Sequence, residues 1–361
     1  MKMNILDCDT VALDDENSAL EIIDQTLLPN EIKIIGLKTQ KEIWEAIYSL
    51  RVRGAPAIGV AAGIGLYLAA KEINTGDRAG FFEKLSAAKD YLASSRPTAV
   101  NLKWALERME RAAENESGSV ADIKRSMLIE CRKIWSEDIE VCEKLGENAL
   151  ALVKPGDGLL THCNAGQLAT VRYGTATAPM YLGQKRGYGF KVYCDETRPL
   201  LQGARLTSFE LSSAGIDTTL ICDNMAASLM KSGKINAVFV GCDRVAANGD
   251  AANKIGTLSA AIAAKRFGVP FYVVAPSSTI DMNTKCGADI VIEERPGDEI
   301  CEMWYEKRMA PRVIKTWNPA FDVTDSDLIA AIVTEYGIAR APYDRSLREI
   351  FNRKNSADEQ R

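Results

Sequence analysis

Five short apolar runs rich in β-branched residues punctuate the second half of the chain: Gly158 to Cys163, Phe190 to Cys194, Thr218 to Cys222, Ala237 to Gly241 and Phe271 to Ala275. Their starts lie 32, 28, 19 and 34 residues apart, which leaves a helix-length segment between successive runs. Parallel strands need such long crossovers, usually helical. The rhythm therefore predicts βαβ units and a parallel sheet, an α/β fold class.

The first part of the chain has a different texture. A short strand is expected at Lys33 to Leu37, then helix, a glycine-bearing turn and helix again across Lys41 to Ala70, and further helices across Asn101 to Asn115 and Ser119 to Lys154. Ser94-Ser95-Arg96-Pro97-Thr98 reads as a loop, because a proline biases the residue before it away from helical geometry. Lys154-Pro155-Gly156-Asp157-Gly158 breaks the helical pattern. The expected organisation is a mostly helical N-terminal domain with short strands over 1–150 and a parallel-sheet domain over 151–361. Asn355 to Arg361 reads as a frayed polar tail.

Charge and composition narrow the partners. The net charge is −5 and the sequence pI about 5.3, so nothing provides the basic footprint that a nucleic-acid backbone or anionic membrane attracts. The uncharged stretch Gly54 to Ala70 is 17 residues long, short of the roughly 20 needed to span a bilayer, and its Gly and Ala content reads as a tightly packed buried helix. The acidic N-terminus lacks the apolar segment of a secretory signal, so a cytoplasmic protein is expected. Nine cysteines, no two closer than 11 residues, argue against a disulfide framework and a C-x-x-C metal site, and one histidine cannot supply an imidazole cluster. Neither a full Walker A pattern nor a G-x-G-x-x-G follows a strand. No metal and no cofactor are expected, and a small ligand is the favoured partner.

The residues just past each strand are more informative. Cys163-Asn164, Cys194-Asp195-Glu196, Cys222-Asp223-Asn224 and Cys242-Asp243-Arg244 put polar groups beyond the carboxyl ends of strands, where open parallel sheets bind ligands. One crevice could collect them, and each acidic residue could equally cap the helix that comes after it. Cys163 precedes Asn164-Ala165-Gly166-Gln167, which reads as a helix opening whose amides would favour a thiolate, fitting Cys163 for acid or base duty. The alternative is a small buried hydrophobe, the reading given to Cys194, Cys222 and Cys242. His162, next along the strand from Cys163, reads as a packed, hydrogen-bonded structural residue, since successive strand side chains face opposite ways. Asp243 precedes the small-residue loop 244–250 and suits either close ligand approach or acid/base work.

For a phosphate, the candidates are Arg53-Gly54-Ala55-Pro56, Arg96-Pro97 and Asn253-Lys254, each a cation in a short loop beside an expected helix start. Singly, each could be a solvated or Glu-paired cation. Together they point to a phosphorylated small molecule.

Several stretches resemble the methylthioribose-1-phosphate isomerase family: Arg51 to Gly59, Ser95 to Leu102, Thr161 to Gly166, Glu196 to Pro199 with Leu201 to Thr207, Gly241 to Gly256, and Asn318 to Thr324. The resemblance runs in order from about position 20 to 340. It implies an aldose–ketose isomerase of methionine salvage acting on 5-methylthioribose 1-phosphate without a redox cofactor, with a Rossmann-like C-terminal domain, a smaller N-terminal domain and a homodimer. By matching positions, it implies that Cys163 and Asp243 are catalytic, and that Arg53, Gly54, Ala55, Arg96, Gln202, Asn253 and Lys254 hold the sugar and its phosphate. A protonated Asp243 in a partly apolar crevice would then open the sugar ring, with Cys163 taking the proton from C2 or from a hydroxyl.

Two departures stand out. Position 242 is Cys where the family usually has Ala, and Met303 to Lys315 is unlike the family's glycine-containing stretch, which bears on subunit contacts and the preferred 5-substituent. Close relatives isomerise 5-deoxyribose 1-phosphate or ribose 1,5-bisphosphate. The same superfamily contains regulatory subunits of a translation-factor exchange complex, so a non-catalytic binding module is the alternative from another class.

Overall fold

The computed structural model describes residues 7–97 and 99–358. Thr98, within the expected loop, and the last residues of the expected polar tail lie outside the described residues. The chain divides into two compact units, Met1–Val141 with Gly166–Gly174, and Cys142–Ala165 with Thr175–Arg361. The boundary expected near position 150 marks the end of a long helix. The division falls inside that helix, and Gly166–Gly174 belongs to the first unit.

In the first unit, β1 (Val11–Asp14), β2 (Ala19–Ile23) and β3 (Ile34–Leu37) form an antiparallel sheet in that order. Helices α1 (Gln40–Tyr48), α2 (Ala55–Glu72), α3 (Arg78–Ala93), α4 (Val100–Asn115) and α5 (Val120–Leu150) come next, the last crossing the division. Local chemistry sets the starts. Thr39 and Glu42 close a reciprocal capping box on α1, and the Asp77 carboxylate accepts from the Ala79 and Gly80 N–H groups at the head of α3. With no polar face, α2 is buried from Ala57 through Ala70. Its glycines admit close neighbours, Gly63 facing Ile134 and Met109, and Gly65 facing Ile43 and Leu92.

The second unit carries β4 (Gly158–His162), α6 (Ala178–Lys185), β5 (Lys191–Asp195), α7 (Ser208–Ser213), β6 (Asp217–Ile221), α8 (Ala226–Lys231) and β7 (Ala237–Val240). It continues through β8 (Arg244–Ala246), β9 (Ala251–Lys254), α9 (Thr257–Phe267), β10 (Phe271–Val274), β11 (Ile280–Asp281) and α10 (Asp298–Cys301). Then come β12 (Phe321–Thr324), β13 (Ala331–Thr334), β14 (Gly337–Ala339) and α11 (Tyr343–Asp358). The five expected strands are present as β4, β5, β6, β7 and β10, each within a residue or so of its apolar run. The expected frayed tail is in part helical, since α11 continues to Asp358.

Among the described residues, seven of these strands form one sheet in the order β14-β13-β10-β7-β4-β5-β6, parallel except for β14. Every residue of β4, β7, β10 and β13 is buried, as interior parallel strands require. Leu160, Val238, Phe271, Val273 and Ile332 belong to one core cluster. Phe239 is wholly buried too, so Phe239→Ala would cost about 3–5 kcal/mol. Strand order reverses between β4 and β7, which is where sheets of this kind open a crevice at their carboxyl ends. A second, four-stranded sheet, β11-β8-β9-β12, grows directly out of the segment after β7. No helix among the described residues is long and apolar enough to cross a membrane.

Candidate active site

The switch point brings two of the expected residues to neighbouring strand ends. His162, the last residue of β4, pairs with Val240, the last residue of β7. Cys163 comes next on one side, and Asp243, after Gly241 and Cys242, on the other. Cys163 is half-buried and has φ +65°, a left-handed conformation that costs a non-glycine residue about 1–3 kcal/mol and therefore needs support. Hydroxyls supply it. The Cys163 N–H donates to Thr197 Oγ1 at 2.8 Å, and Thr207 donates its hydroxyl to the Cys163 carbonyl at 2.6 Å. Asn164 Nδ2 donates to the same Thr207 oxygen at 3.1 Å.

The helix expected to open at Asn164 does not form. Only a three-residue 3₁₀ turn, Gln167–Ala169, comes after Cys163, and it belongs to the first unit. Gly166 stands extended before it, so no helix starts beside the thiol.

His162 and the acidic strand ends behave differently from capping residues. The imidazole is buried, with Nδ1 2.9 Å from Asp195 Oδ2 and Nε2 2.9 Å from the Ile255 carbonyl. Asp223 accepts the backbone N–H groups of Thr197 at 2.7 Å and Arg198 at 2.8 Å, in the loop after the neighbouring strand rather than in its own helix. Burial would push His162 down, but the hydrogen bond and charge of Asp195, with Asp223 and the Ile255 carbonyl behind, hold it above its ordinary value. Burial raises the Asp195 carboxyl, and His162 pulls it back only in part. The His162, Asp195 and Asp223 ligand atoms lie within 4.8 Å of one another, close enough to hold a cation. Hydrogen bonds already engage each of them, so the three act here as hydrogen-bonding groups and not as metal ligands.

Asp243 is exposed, which corrects the expectation of an apolar crevice around it. Its backbone N–H donates to Ala252 of β9 at 2.9 Å, placing it beside the strand that carries Asn253 and Lys254. The stretch expected as loop after Asp243 is β8 and a tight turn. Likewise Asn253 and Lys254 lie on β9 rather than in a loop, because that strand pairs on both edges, with β8 and β12. Both are buried. Asn253 Nδ2 donates to Thr257 Oγ1 at 3.0 Å. Lys254 Nζ donates to the Ala320 carbonyl at 2.8 Å and lies 4.4 Å from the centre of the Phe321 ring. Gln202 heads the π-helical turn Gly203–Thr207, whose Thr207 grips Cys163, and its buried Oε1 has no hydrogen-bond partner.

The remaining candidates belong to the first unit. Arg53 and Gly54 precede α2, and Ala55 is its first residue. Gly54 has φ +90°, and a Cβ there would come within 2.4 Å of Ala169, so no other residue fits. Arg96 precedes α4 in the expected loop and makes no ion pair among the described residues. Gly59 of α2 lies against Asn101 of α4, so the starts of the two helices are side by side. Of the cysteines expected as packing residues, Cys194 is buried with its thiol pushed up, while Cys222 and Cys242 are half-buried. The atypical segment after α10 is exposed at Met303, Trp304, Tyr305 and Met309. Trp304 donates its indole N–H to the Pro199 carbonyl at 2.7 Å.

Residues 51–341 match the model of the initiation factor 2 subunit family. The chain is 61% identical over 349 residues, 96% of it and 97% of the relative, to a methylthioribose-1-phosphate isomerase of Symbiobacterium thermophilum. It is 56% identical, over 94% of its length and 98% of the relative, to a 5-deoxyribose 1-phosphate isomerase of Petrotoga mobilis. The crystal structure of a 5-methylthioribose 1-phosphate isomerase from Pyrococcus horikoshii OT3 superimposes with a TM-score of 0.91 at 42% identity, covering 96% of each chain.

Proposed function

We propose that this chain, which belongs to the initiation factor 2 subunit family and within it to the methylthioribose-1-phosphate isomerases, converts 5-methylthioribose 1-phosphate into 5-methylthioribulose 1-phosphate in methionine salvage. One observation carries the residue assignment. A thiol and a carboxylate, Cys163 and Asp243, stand past the carboxyl ends of two adjacent parallel strands at the point where strand order reverses.

The reaction asks for such a pair. Phosphate on C1 keeps the sugar as a ring without a free aldehyde, so the ring must open before hydrogen moves from C2 to C1. In our reading Asp243 gives a proton to the ring oxygen as its bond to C1 breaks; Cys163 then either takes the C2 proton and returns it to C1, the C2 hydroxyl proton going back to Asp243, or takes the C2 hydroxyl proton while hydride passes from C2 to C1. Asn253 and Lys254 beside Asp243, Gln202 at the head of the turn that grips Cys163, and Arg53, Gly54, Ala55 and Arg96 at two helix starts bind the sugar and its phosphate. Lys254 gives one of its ammonium protons to Ala320 and has two left for an anion. The unit bearing the seven-stranded sheet is a Rossmann-like catalytic domain, and the protein works as a cytoplasmic homodimer.

The test is an isomerase assay on 5-methylthioribose 1-phosphate, 5-deoxyribose 1-phosphate and ribose 1,5-bisphosphate. Turnover of the first with the highest kcat/KM, unchanged by chelator, is expected. Turnover of none of the three overturns the reading. The Petrotoga mobilis relative makes 5-deoxyribose 1-phosphate the second choice of substrate, and a kcat/KM highest for that sugar would move the assignment to it.

A further inference from the structure

The chain has one histidine, and both of its ring nitrogens face oxygen. A carbonyl oxygen only accepts, so Nε2, 2.9 Å from the Ile255 carbonyl, carries a proton. A neutral imidazole has no second N–H, so Nδ1 donates to the Asp195 carboxylate only when the ring is an imidazolium. Three aspartates stand near it. They are Asp195 from β5, Asp223 from the loop after β6 with an oxygen 3.9 Å from Nδ1, and Asp322 from β12, with Glu196 acting on Asp195. Asp322 in turn accepts the Gly256 and Leu258 N–H groups at the head of α9. The ring also packs on Gly256, at φ +104°, where an added Cβ would lie 2.8 Å from His162 Cε1.

We infer that His162 is a positioning residue: as an imidazolium donating from both nitrogens, it pins the strand end that carries Cys163 to Asp195 and to the Ile255–Gly256 turn just past Asn253 and Lys254. The inference rests on the isomerase reading for its consequence, because what the ring aligns is the thiol of one strand end and the proposed sugar-phosphate groups of another. A neutral ring keeps both bonds only if Asp195 holds the proton and donates to Nδ1; beside an ionised Asp195 it gives up one of them. Asp195 would then lose the partner of Oδ2 while its other oxygen, Oδ1, already has none.

A lone histidine makes the test direct. The full chain, free of any histidine tag and labelled with ¹⁵N-histidine, gives one pair of ring resonances. Both nitrogens protonated at neutral pH, persisting above the ordinary histidine value of about 6.5, is expected. An unprotonated Nδ1 at neutral pH overturns the inference, whatever the chain turns out to catalyse. Asp195→Asn removes the charge that holds the second proton. Its ring is expected to be neutral at neutral pH and kcat to fall by about 10²-fold with KM near the parent's, as for a misplaced reacting group. Activity should recover as pH is lowered and the ring recharges. A loss equal at every pH, or a change in KM alone, would reduce His162 to packing. Should that variant not fold, His162→Gln is expected to lose kcat with KM retained, and parental turnover would overturn the role. A native chain with the expected resonances but no turnover of any of the three sugar phosphates would remove the isomerase reading and leave the imidazolium standing.

Discussion

The ends of β4 and β7 are neighbours in the same sheet and are built in opposite ways. After β4 the chain turns through a left-handed cysteine clasped by two threonine hydroxyls, behind which a buried histidine and two aspartates close a hydrogen-bonded network. After β7 the aspartate is exposed, and its backbone joins it to a strand of the smaller sheet. Proximity alone therefore does not make two strand ends equivalent. One presents a side chain whose backbone cannot shift without breaking several bonds, and the other presents a carboxylate that water reaches.

Four groups of variants press on that contrast. The largest effects belong to Cys163→Ser and Asp243→Asn, each expected to lower kcat by about 10² to 10⁴-fold with modest change in KM. The two should part in thermal unfolding, where Asp243→Asn is expected to melt with the parent because its side chain is exposed. A large drop in its Tm would show that the β7 end is as closely built as the β4 end. Next come Lys254→Ala and Arg96→Ala, expected to weaken both substrate and inorganic phosphate by about 1.5–3 kcal/mol in calorimetric titration. Unchanged affinity in both would place the phosphate elsewhere. Thr207→Val strips the Cys163 carbonyl and the Asn164 amide of one partner, and about 1–3 kcal/mol of stability should go with it in urea unfolding. An unaltered midpoint would mean that the β4 end is not held by that hydroxyl. Smallest is Cys194→Ser, a buried change on β5, for which near-parental turnover is expected. A loss rivalling that of Cys163→Ser would spread the chemistry beyond the two strand ends.

The parts of the fold that sequence made legible are those written in side chains of one kind. β4, β7 and β10 are buried on both faces, so they read as continuous apolar runs, and α2 shows itself by seventeen uncharged residues in a row. The smaller sheet was hidden. β9 is only Ala251-Ala252-Asn253-Lys254, and its partner β12 lies some seventy residues on, so no local pattern marks either. The site divides along the same line. Cys163 and Asp243 could be placed at strand ends from the runs before them, but the exposure of Asp243 depends on what the fold puts around it. His162 read as a hydrogen-bonded structural residue and is one. That Asp195 and Asp223 serve it and the Thr197 loop, rather than capping helices, depends on three strands meeting, which no window of sequence contains.

The segment from Asp243 to Gly256 sits inside a single crossover of the large sheet, between β7 and the helix that leads to β10, yet carries two strands of its own. That connection builds its middle from its own strand ladder and is tied back to the large sheet at its far end, where the Ile255 carbonyl meets His162. Because this short segment carries Asp243, Asn253 and Lys254 together, a change that reshapes it would unsettle three of the proposed site groups at once, and the differences that fit relatives to different sugars should fall outside it.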